Sequence, residues 1–517
     1  MLSSNKPYNI IIAVITALVV VMGVMIFMYP PSIFPDPSRG FQVMRSMQMG
    51  SGFNILTGPD QDDISQNTSL FLTWWSPGQY LIPYFFKSVF SLNAGQASAL
   101  TISIFELSGI AGFYFFFRRI GFSTLIAALS VAFIACQTAF IMPYVFYNGG
   151  EILLFGFEGW FLYGLIVIKK PGIKLLAFVL ITGWAGFFFK SSFTWVYAAG
   201  MLYLWLRLSG KSIQSYVKTG FWVAIPAILS LAGIYVFFFS KGVNPASASL
   251  GFKASWETFC FPLASPVLSG FSIDDLFRGL VNHPTHAYCF IVAILLLAVA
   301  ISLLIIISIV YYVPNKKYSL LLIVFYIVSV IFFSMAYLRQ LNISYEARHF
   351  RIIGLLIVPG VIYLMSKFHP VYRTVFVLLC VCLAYASYAY FIKGYLYNKN
   401  KSAHGPSGIA QEYVDQSALN YMLKLDSANR NAIFAFVTPD MGLEITHNRI
   451  ITIDPPLPGE QIDMDDYIYD GHAGPLYLLL PANYKGANAA LLMKFFPGYS
   501  SFTVTKLSGG TMLYSAR

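Results

Sequence analysis

The stretch Tyr8–Tyr29 reads YNIIIAVITALVVVMGVMIFMY, an apolar run without a charged residue. About 20 such residues suffice for an α-helix to cross the hydrocarbon core of a bilayer. The run follows Lys6, as a secretory signal would, but it is longer than a signal h-region and no A-x-A site follows it. It is therefore expected to stay as the first transmembrane helix. Ten further apolar runs follow, at about 99–117, 122–141, 151–168, 174–190, 191–207, 219–239, 287–312, 318–336, 349–366 and 372–392. Residues 78–92 are also apolar, but they are short, contain Pro83 and Lys87, and follow Trp74-Trp75. Tryptophans and short amphipathic stretches favour the membrane interface, so this segment is expected to lie on the membrane.

Composition agrees. Of 517 residues, 57% are hydrophobic and 11% charged, against about 25% charged in soluble domains. The remainder of the chain differs: residues 393–517 are mixed in character and hold 11 of the 22 acids. Two regions follow, a membrane body over 1–392 and a C-terminal domain over 393–517. The C-terminal part alternates strand-like runs (432–437, 449–453, 476–480, 502–506, 511–515) with helix-like runs (416–425 and 487–496). That order suits a small α/β domain. The fold class is thus a polytopic α-helical membrane protein of about eleven transmembrane helices plus a small α/β domain. Phe41, Met44, Met47 and Met49 add an amphipathic, juxtamembrane helix in the first long loop.

The net charge of +11 is a topology signal, with no implication of nucleic acid. Arg118, Arg119, Lys169, Lys170, Lys174, Arg207, Lys211, Lys218, Lys316, Lys317, Lys367 and Arg373 sit in alternate loops that carry no acid. The positive-inside rule makes those loops cytoplasmic. The N-terminus is then inside, and an odd number of spans puts the C-terminal domain outside.

Five cysteines form no CxxC pair and no Cys/His spacing suits zinc, so no metal site is assigned and the cofactor is unknown. Cys260 and Cys289 could meet across one external loop. Walker, Rossmann and HExxH motifs are missing, which removes support for nucleotide-driven and zinc-protease chemistry.

Candidate residues converge on the outer face. Asp36 lies between Pro35 and Pro37, which are expected to hold an extended, stiff backbone just after the first span. Glu151 opens a span and Glu158 follows on the same helical face. Glu106 sits within another span. Carboxylates inside a span are costly and face a cavity or a partner, although Glu151 also suits a helix N-terminus. Lys190 lies between two spans, where it either meets an anionic group or snorkels to lipid headgroups. Arg348 and Arg351, spaced i, i+3 at a span's outer start, break the positive-inside pattern. Paired guanidinium forks at a helix start suit phosphate. His349 lies between them.

With these residues in view, the chain resembles the C-type (GT-C) polytopic glycosyltransferases. The likeness is to the bacterial branch with the aminoarabinose transferase of lipid A and the protein O-mannosyltransferases. Asp36 after the first span, Thr73-Trp74-Trp75-Ser76-Pro77-Gly78-Gln79-Tyr80, Phe189-Lys190-Ser191 and Glu346-Ala347-Arg348-His349-Phe350 carry the resemblance. It implies a bundle in the bacterial cytoplasmic membrane with juxtamembrane helices capping an outward cavity. It also implies inverting transfer of a sugar from a polyprenyl-phosphate donor to a glycan, lipid or protein acceptor. Asp36 would be the base, Arg348, Arg351 and Lys190 would hold the leaving phosphate, and Glu151, Glu158, Glu106 and His349 would bind sugar or acceptor. The rival reading is a non-enzymatic flippase for lipid-linked oligosaccharides.

Overall fold

The computed structural model describes residues 6–242, 249–281, 285, 287–453, 468–481 and 494–517. The helices are α1 (Lys6–Met28), α2 (Pro35–Gln48), α3 (Gly78–Phe90), α4 (Ala94–Ile120), α5 (Thr124–Ala135), α6 (Thr138–Ile141), α7 (Gly150–Val167), α8 (Ile173–Phe189) and α9 (Phe193–Leu208). They continue as α10 (Ile213–Phe237), α11 (Trp256–Gly270), α12 (Asp274–Val281), α13 (Tyr288–Tyr312), α14 (Lys316–Leu338), α15 (Arg351–Met365), α16 (Pro370–Asn400) and α17 (Gln416–Ala428). The strands are β1 (Ser32–Ile33), β2 (Ile55–Pro59), β3 (Asn67–Phe71), β4 (Phe146–Tyr147), β5 (Ala403–His404), β6 (Ala410–Gln411), β7 (Ile433–Phe436), β8 (Arg449–Thr452), β9 (Leu476–Pro481), β10 (Thr503–Lys506) and β11 (Thr511–Ala516).

A helix occupies each of the eleven places where the sequence predicts a span. Eight described helices are long and apolar enough to cross a membrane, or nine if the pair α5 and α6, bent by 65°, counts as one broken span. α8 is apolar but shorter. The chain forms two compact units. One comprises Met1–Val21, Ser103–Pro143 and Gly150–Phe391, the other Met22–Ile102, Tyr144–Gly149 and Ile392–Arg517.

The first unit is a helical bundle whose close crossings rest on glycine. A Cβ on Gly159 of α7 would stand 2.4 Å from the backbone nitrogen of Phe113 on α4, and Gly156 lies under Phe105. Small residues let membrane helices approach at backbone distance, where van der Waals packing replaces the hydrophobic drive that lipid cannot supply. Gly354 of α15 and Gly270 of α11 meet the same way, a Cβ on Gly354 falling 2.6 Å from the Gly270 nitrogen. The helix α11 lies within what reads from sequence as a long loop, yet it is largely buried and packs on α13, α14 and α15. Its Ser255–Thr258 capping box starts it, and Pro262 and Pro266 lie inside it. The cysteines Cys260 and Cys289 are both free, one buried and one exposed, so the pairing contemplated from sequence is not formed.

The second unit is built on a five-stranded sheet of order β10-β11-β9-β7-β8, in which β7 runs parallel to both neighbours and β11 is antiparallel. All five predicted strands are present; residues 487–493 of the predicted last helix lie outside the described residues. Apolar side chains fill both faces of the sheet. One core includes Ile64 from the first long loop, which is fully buried. Gln42 of α2 donates to the Pro439 carbonyl at 2.7 Å and Arg45 to the Ile445 carbonyl at 2.7 Å. Arg449 in turn donates to the carbonyls of Ile64 and Ser65. Burial, opposed by the pull of Asp426, draws the Arg45 guanidinium down to about 10.

Candidate active site

In the helical unit, three predicted residues come together at helix ends. Lys190 follows the last residue of α8 in extended backbone, donating its own amide to the Gly186 carbonyl while its carbonyl accepts from Phe193 at the head of α9. That break aims the side chain across the start of α7. Gly150 makes room, because a Cβ there would lie 2.9 Å from Lys190 Cγ. The Lys190 ammonium pairs with Glu151 Oε1. Arg348, in the 3-10 turn Ala347–Phe350 that leads into α15, donates through Nη1 to the same Oε1 at 3.2 Å. Its Nε lies against Glu346, a pairing the sequence reading did not foresee although Glu346 stands in the motif. Side-chain exposures of 15% for Glu151, 19% for Lys190 and 28% for Arg348 leave the cluster half-buried.

Arg351 opens α15 and is within electrostatic range of Glu151, Glu158 and Asp274. Among the described residues its Nε donates no hydrogen bond. The Gly270–Gly354 crossing and the Ser269 hydroxyl, which donates to the Phe350 carbonyl at 3.3 Å, hold this turn in place. His349 stacks on Phe333 with centroids 5.7 Å apart and its Nε2 lies 3.4 Å from the Ser344 hydroxyl.

Glu106 and Glu158 are buried at 1% and 5% exposure on α4 and α7. Both feel the charge of Arg351, and Glu158 also that of Lys190. The glycines flanking Glu158 bring α7 against α4, which is what places two acids in the bundle interior. Among the described residues, Glu106 Oε2 accepts no hydrogen bond. Asp274, near Arg351, escaped the sequence reading because it sits in an amphipathic stretch that reads as solvated loop.

Asp36 belongs to the other unit. The expected extended backbone is corrected: Pro35, Asp36 and Pro37 form the first turn of α2. A proline ring presets helical φ, and its missing N–H costs nothing in the first turn, where those groups have no partner within the helix. Asp36 is half-buried, with Pro37 and Ser38 beside it fully or nearly buried. An acid there is favoured by the helix dipole. Three contacts fix the turn. The Phe34 amide donates to the Tyr147 carbonyl at 3.1 Å, extending the parallel pair β1–β4. The Tyr147 hydroxyl donates to the Gln79 carbonyl at 2.6 Å. The Tyr80 ring lies against Gly40, where a Cβ would strike it, and its hydroxyl bonds to buried Asn54. The Thr73–Tyr80 segment thus braces the helix that carries Asp36.

Among the described residues no three His, Cys, Asp or Glu side chains are grouped to hold a metal ion. The sequence matches no protein-family profile, and no curated protein matches it. Solved structures do. The chain is similar to ArnT from Cupriavidus metallidurans in the apo state, at 13% identity and a TM-score of 0.51 over 98% of this chain and 97% of that one. It is also similar to the arabinofuranosyltransferase AftD from Mycobacteria, at 12% identity and a TM-score of 0.50 over 97% of this chain. The chain spans about two fifths of AftD, 39% of its length. Both are GT-C glycosyltransferases, and the fold of this chain is the GT-C membrane fold.

Proposed function

We propose that this protein is a membrane glycosyltransferase that moves a sugar from a polyprenyl-phosphate-linked donor to a glycan, lipid or protein acceptor, with inversion. The observation that carries the reading is the convergence of Lys190 and Arg348 on one oxygen of Glu151, with Arg351 one turn on. Three cations at helix ends form a site that an incoming phosphate can enter by displacing the carboxylate. Charge-assisted and bidentate bonds make guanidinium groups suited to that exchange.

In this reading Asp36 takes the proton from the acceptor hydroxyl or amine, which attacks the anomeric carbon. The bond from that carbon to the phosphate oxygen breaks, and Arg348, Arg351 and Lys190 stabilise the charge left on the polyprenyl phosphate. Glu151, once displaced, and Glu158, Glu106 and His349 bind sugar or acceptor. The reaction takes place at the outer face of the cytoplasmic membrane, with the N-terminus inside and residues 393–517 outside.

The test is incubation of the purified protein, reconstituted in vesicles, with a radiolabelled polyprenyl-phosphate sugar and a membrane extract as acceptor. Transfer of label out of the polyprenyl lipid, lost in Asp36→Asn, is expected. Movement of the intact labelled lipid between leaflets without transfer would make the chain a flippase instead.

A further inference from the structure

The helical unit gathers three basic turns at the far end of α15. That helix runs from Arg351, beside the cluster described above, to Met365, about 20 Å away at 1.5 Å per residue. It packs on α5, α13 and α14. The Asn315 side chain accepts from the Lys317 and Tyr318 amides at the head of α14 and donates to the Ile120 carbonyl at the end of α4. Phe122 meets Tyr318 edge to face with centroids 4.8 Å apart. The Tyr318 hydroxyl donates to the Leu356 carbonyl of α15 at 2.6 Å. The turns between α4 and α5, α13 and α14, and α15 and α16 are thereby drawn together.

These turns carry Arg118, Arg119, Lys316, Lys317, Lys367 and, in the first turn of α16, Arg373. All six are exposed, and none of the three turns contains an acid. Arg118 donates to the Phe122 carbonyl at 2.8 Å, which ties its guanidinium to this place. Large exposed rings flank the cations: Tyr311 and Tyr312 end α13, and Phe368 and Tyr372 stand at the start of α16. Tyrosine rings sit at the headgroup level of a bilayer, with acyl chains on one side and water on the other. The other basic turns, 168–174 and 207–218, differ in kind. Their cations are lysines except Arg207, whose guanidinium is bonded to the carbonyls of Ile166 and Ile168.

An exposed cluster of forks and ammonium groups suits a phosphate. Exposed cations hold a free anion weakly in water, whereas a lipid phosphate is kept at this depth by its own acyl chains. The positive-inside rule makes this the cytoplasmic end, and that leaflet is the anionic one. We propose that the patch binds the headgroup of an anionic phospholipid, with the forks of Arg119 and Arg373 on the phosphate and the lysines as point charges around it. Lipid binding needs no turnover, so the proposal does not rest on the transferase reading.

Native mass spectrometry of the full chain, titrated in detergent with dioleoyl phosphatidylglycerol or dioleoyl phosphatidylcholine, tests it. Phosphatidylglycerol should bind the more tightly. Removing a cation near an anionic lipid surface costs about fivefold in affinity, so Arg119→Gln/Lys317→Gln/Arg373→Gln should lose at least about tenfold for phosphatidylglycerol. That variant leaves the Arg118 and Asn315 contacts in place. Lys169→Gln/Lys170→Gln/Lys211→Gln removes as many exposed charges from the other turns and should leave the affinity nearly unchanged. Arg119→Lys/Arg373→Lys keeps the charge and should lose less than the glutamine variant. Equal binding of the two lipids, or equal losses in the two glutamine variants, overturns the proposal. Displacement of phosphatidylglycerol by millimolar inorganic phosphate would make the patch a free-anion site and overturn it too. If the first glutamine variant does not fold, unchanged affinity in Arg119→Lys/Arg373→Lys has the same force.

Discussion

Lys190, just after α8, and Arg348, in the turn that leads into α15, share a single oxygen of Glu151. One carboxylate is therefore shared by two half-buried cations, with Glu346 a second partner of Arg348. Glu151→Gln keeps the shape, takes the shared charge away from Lys190 and Arg348, and leaves Arg348 its second partner, Glu346. Breaking a fully buried pair costs roughly 3–5 kcal/mol. At the exposures seen here about 1–3 kcal/mol is expected, read as a lower melting temperature of the detergent-solubilised protein. Adding a polyprenyl-phosphate analogue should recover more stability in Glu151→Gln than in wild type, because the phosphate replaces the lost charge. Equal recovery in both proteins would mean that the cations do not meet the phosphate.

The guanidinium fork gives a sharper test of the same cations. Arg348→Lys and Arg351→Lys keep the charge and lose bidentate geometry. Donor-analogue affinity should fall about tenfold or more in at least one of them, the scale of one charge-assisted hydrogen bond. Melting temperatures without ligand should stay near wild type. If both affinities are unchanged, Lys190 is the next candidate for the phosphate.

For Asp36 the expected outcome is kinetic. Asp36→Asn retains the side-chain shape at the head of α2 and removes the base. General-base contributions run from about 10² to 10⁴ in rate, so transfer should drop by at least about 100-fold while the melting temperature holds. Asp36→Ala makes a useful companion, since it removes the side-chain shape as well; both variants lose the helix-dipole contribution of the charge, worth about 0.3–1 kcal/mol. A well-folded Asp36→Asn protein with normal turnover would exclude the role.

Much of this could be read from the chain because hydropathy is one-dimensional. A run such as Tyr8–Tyr29 must be helical in lipid, where every backbone polar group needs an internal partner. Alternating topology assigns Glu151, Lys190 and Arg348 to one face, but the ion pairs among them are not foreseen from the sequence. Contacts set by long-range packing were not legible. The helix α11 hides in a loop-like stretch with Pro262 and Pro266, and its burial comes from α13, α14 and α15. Ile64 reads as a loop residue among acids, yet it fills the core of a sheet some 370 residues later in the chain. At Asp36 two local rules competed: proline restricts the residue before it, but proline also starts helices. The helix prevailed because Phe41, Val43 and Met44 of the same segment are buried.

Topology is open to labelling. Single cysteines at the exposed positions Lys170 and Lys317 should react with a membrane-impermeant maleimide only after cells are permeabilised. A cysteine at Ser427, exposed on α17, should react in intact cells. Gly405 is a poor probe site, since a Cβ there would strike the Glu444 carboxyl at 2.3 Å. The cysteines of the chain would first be changed to serine or alanine, with exposed Cys289 and Cys382 the foremost sources of background. The opposite labelling pattern at all three sites would invert the orientation.

The buried Asp440 makes the C-terminal sheet's stability depend on pH with a definite sign. Burial raises its carboxyl from 3.8 to about 6, against hydrogen bonds from Thr438 and the Met441 amide and with Glu412 adding repulsion. A carboxyl raised on folding binds its proton more tightly in the folded state. Its stabilising contribution is therefore complete below about pH 4 and is lost as pH rises through about 6. The full span corresponds to about 3 kcal/mol as an upper figure. Asp426 acts in the other direction: burial pushes its carboxyl up, but hydrogen bonds from Asn448, Thr446 and His447 together outweigh it and hold the group below its ordinary value, so its contribution fades on acidification. The two can be separated by mutation. Asp440→Asn stays neutral and still accepts a hydrogen bond from Thr438, so it should melt higher than wild type at pH 7.5. The difference should shrink towards zero near pH 4, while Asp426→Asn should melt lower than wild type at pH 7.5 and approach it in acid. Melting curves of the full chain at several pH values, followed by a fluorophore on a single cysteine introduced at an exposed position of the C-terminal region, which has no cysteine of its own, would read both. An Asp440→Asn advantage that is constant from pH 4 to 7.5 would show that Asp440 does not titrate in this range.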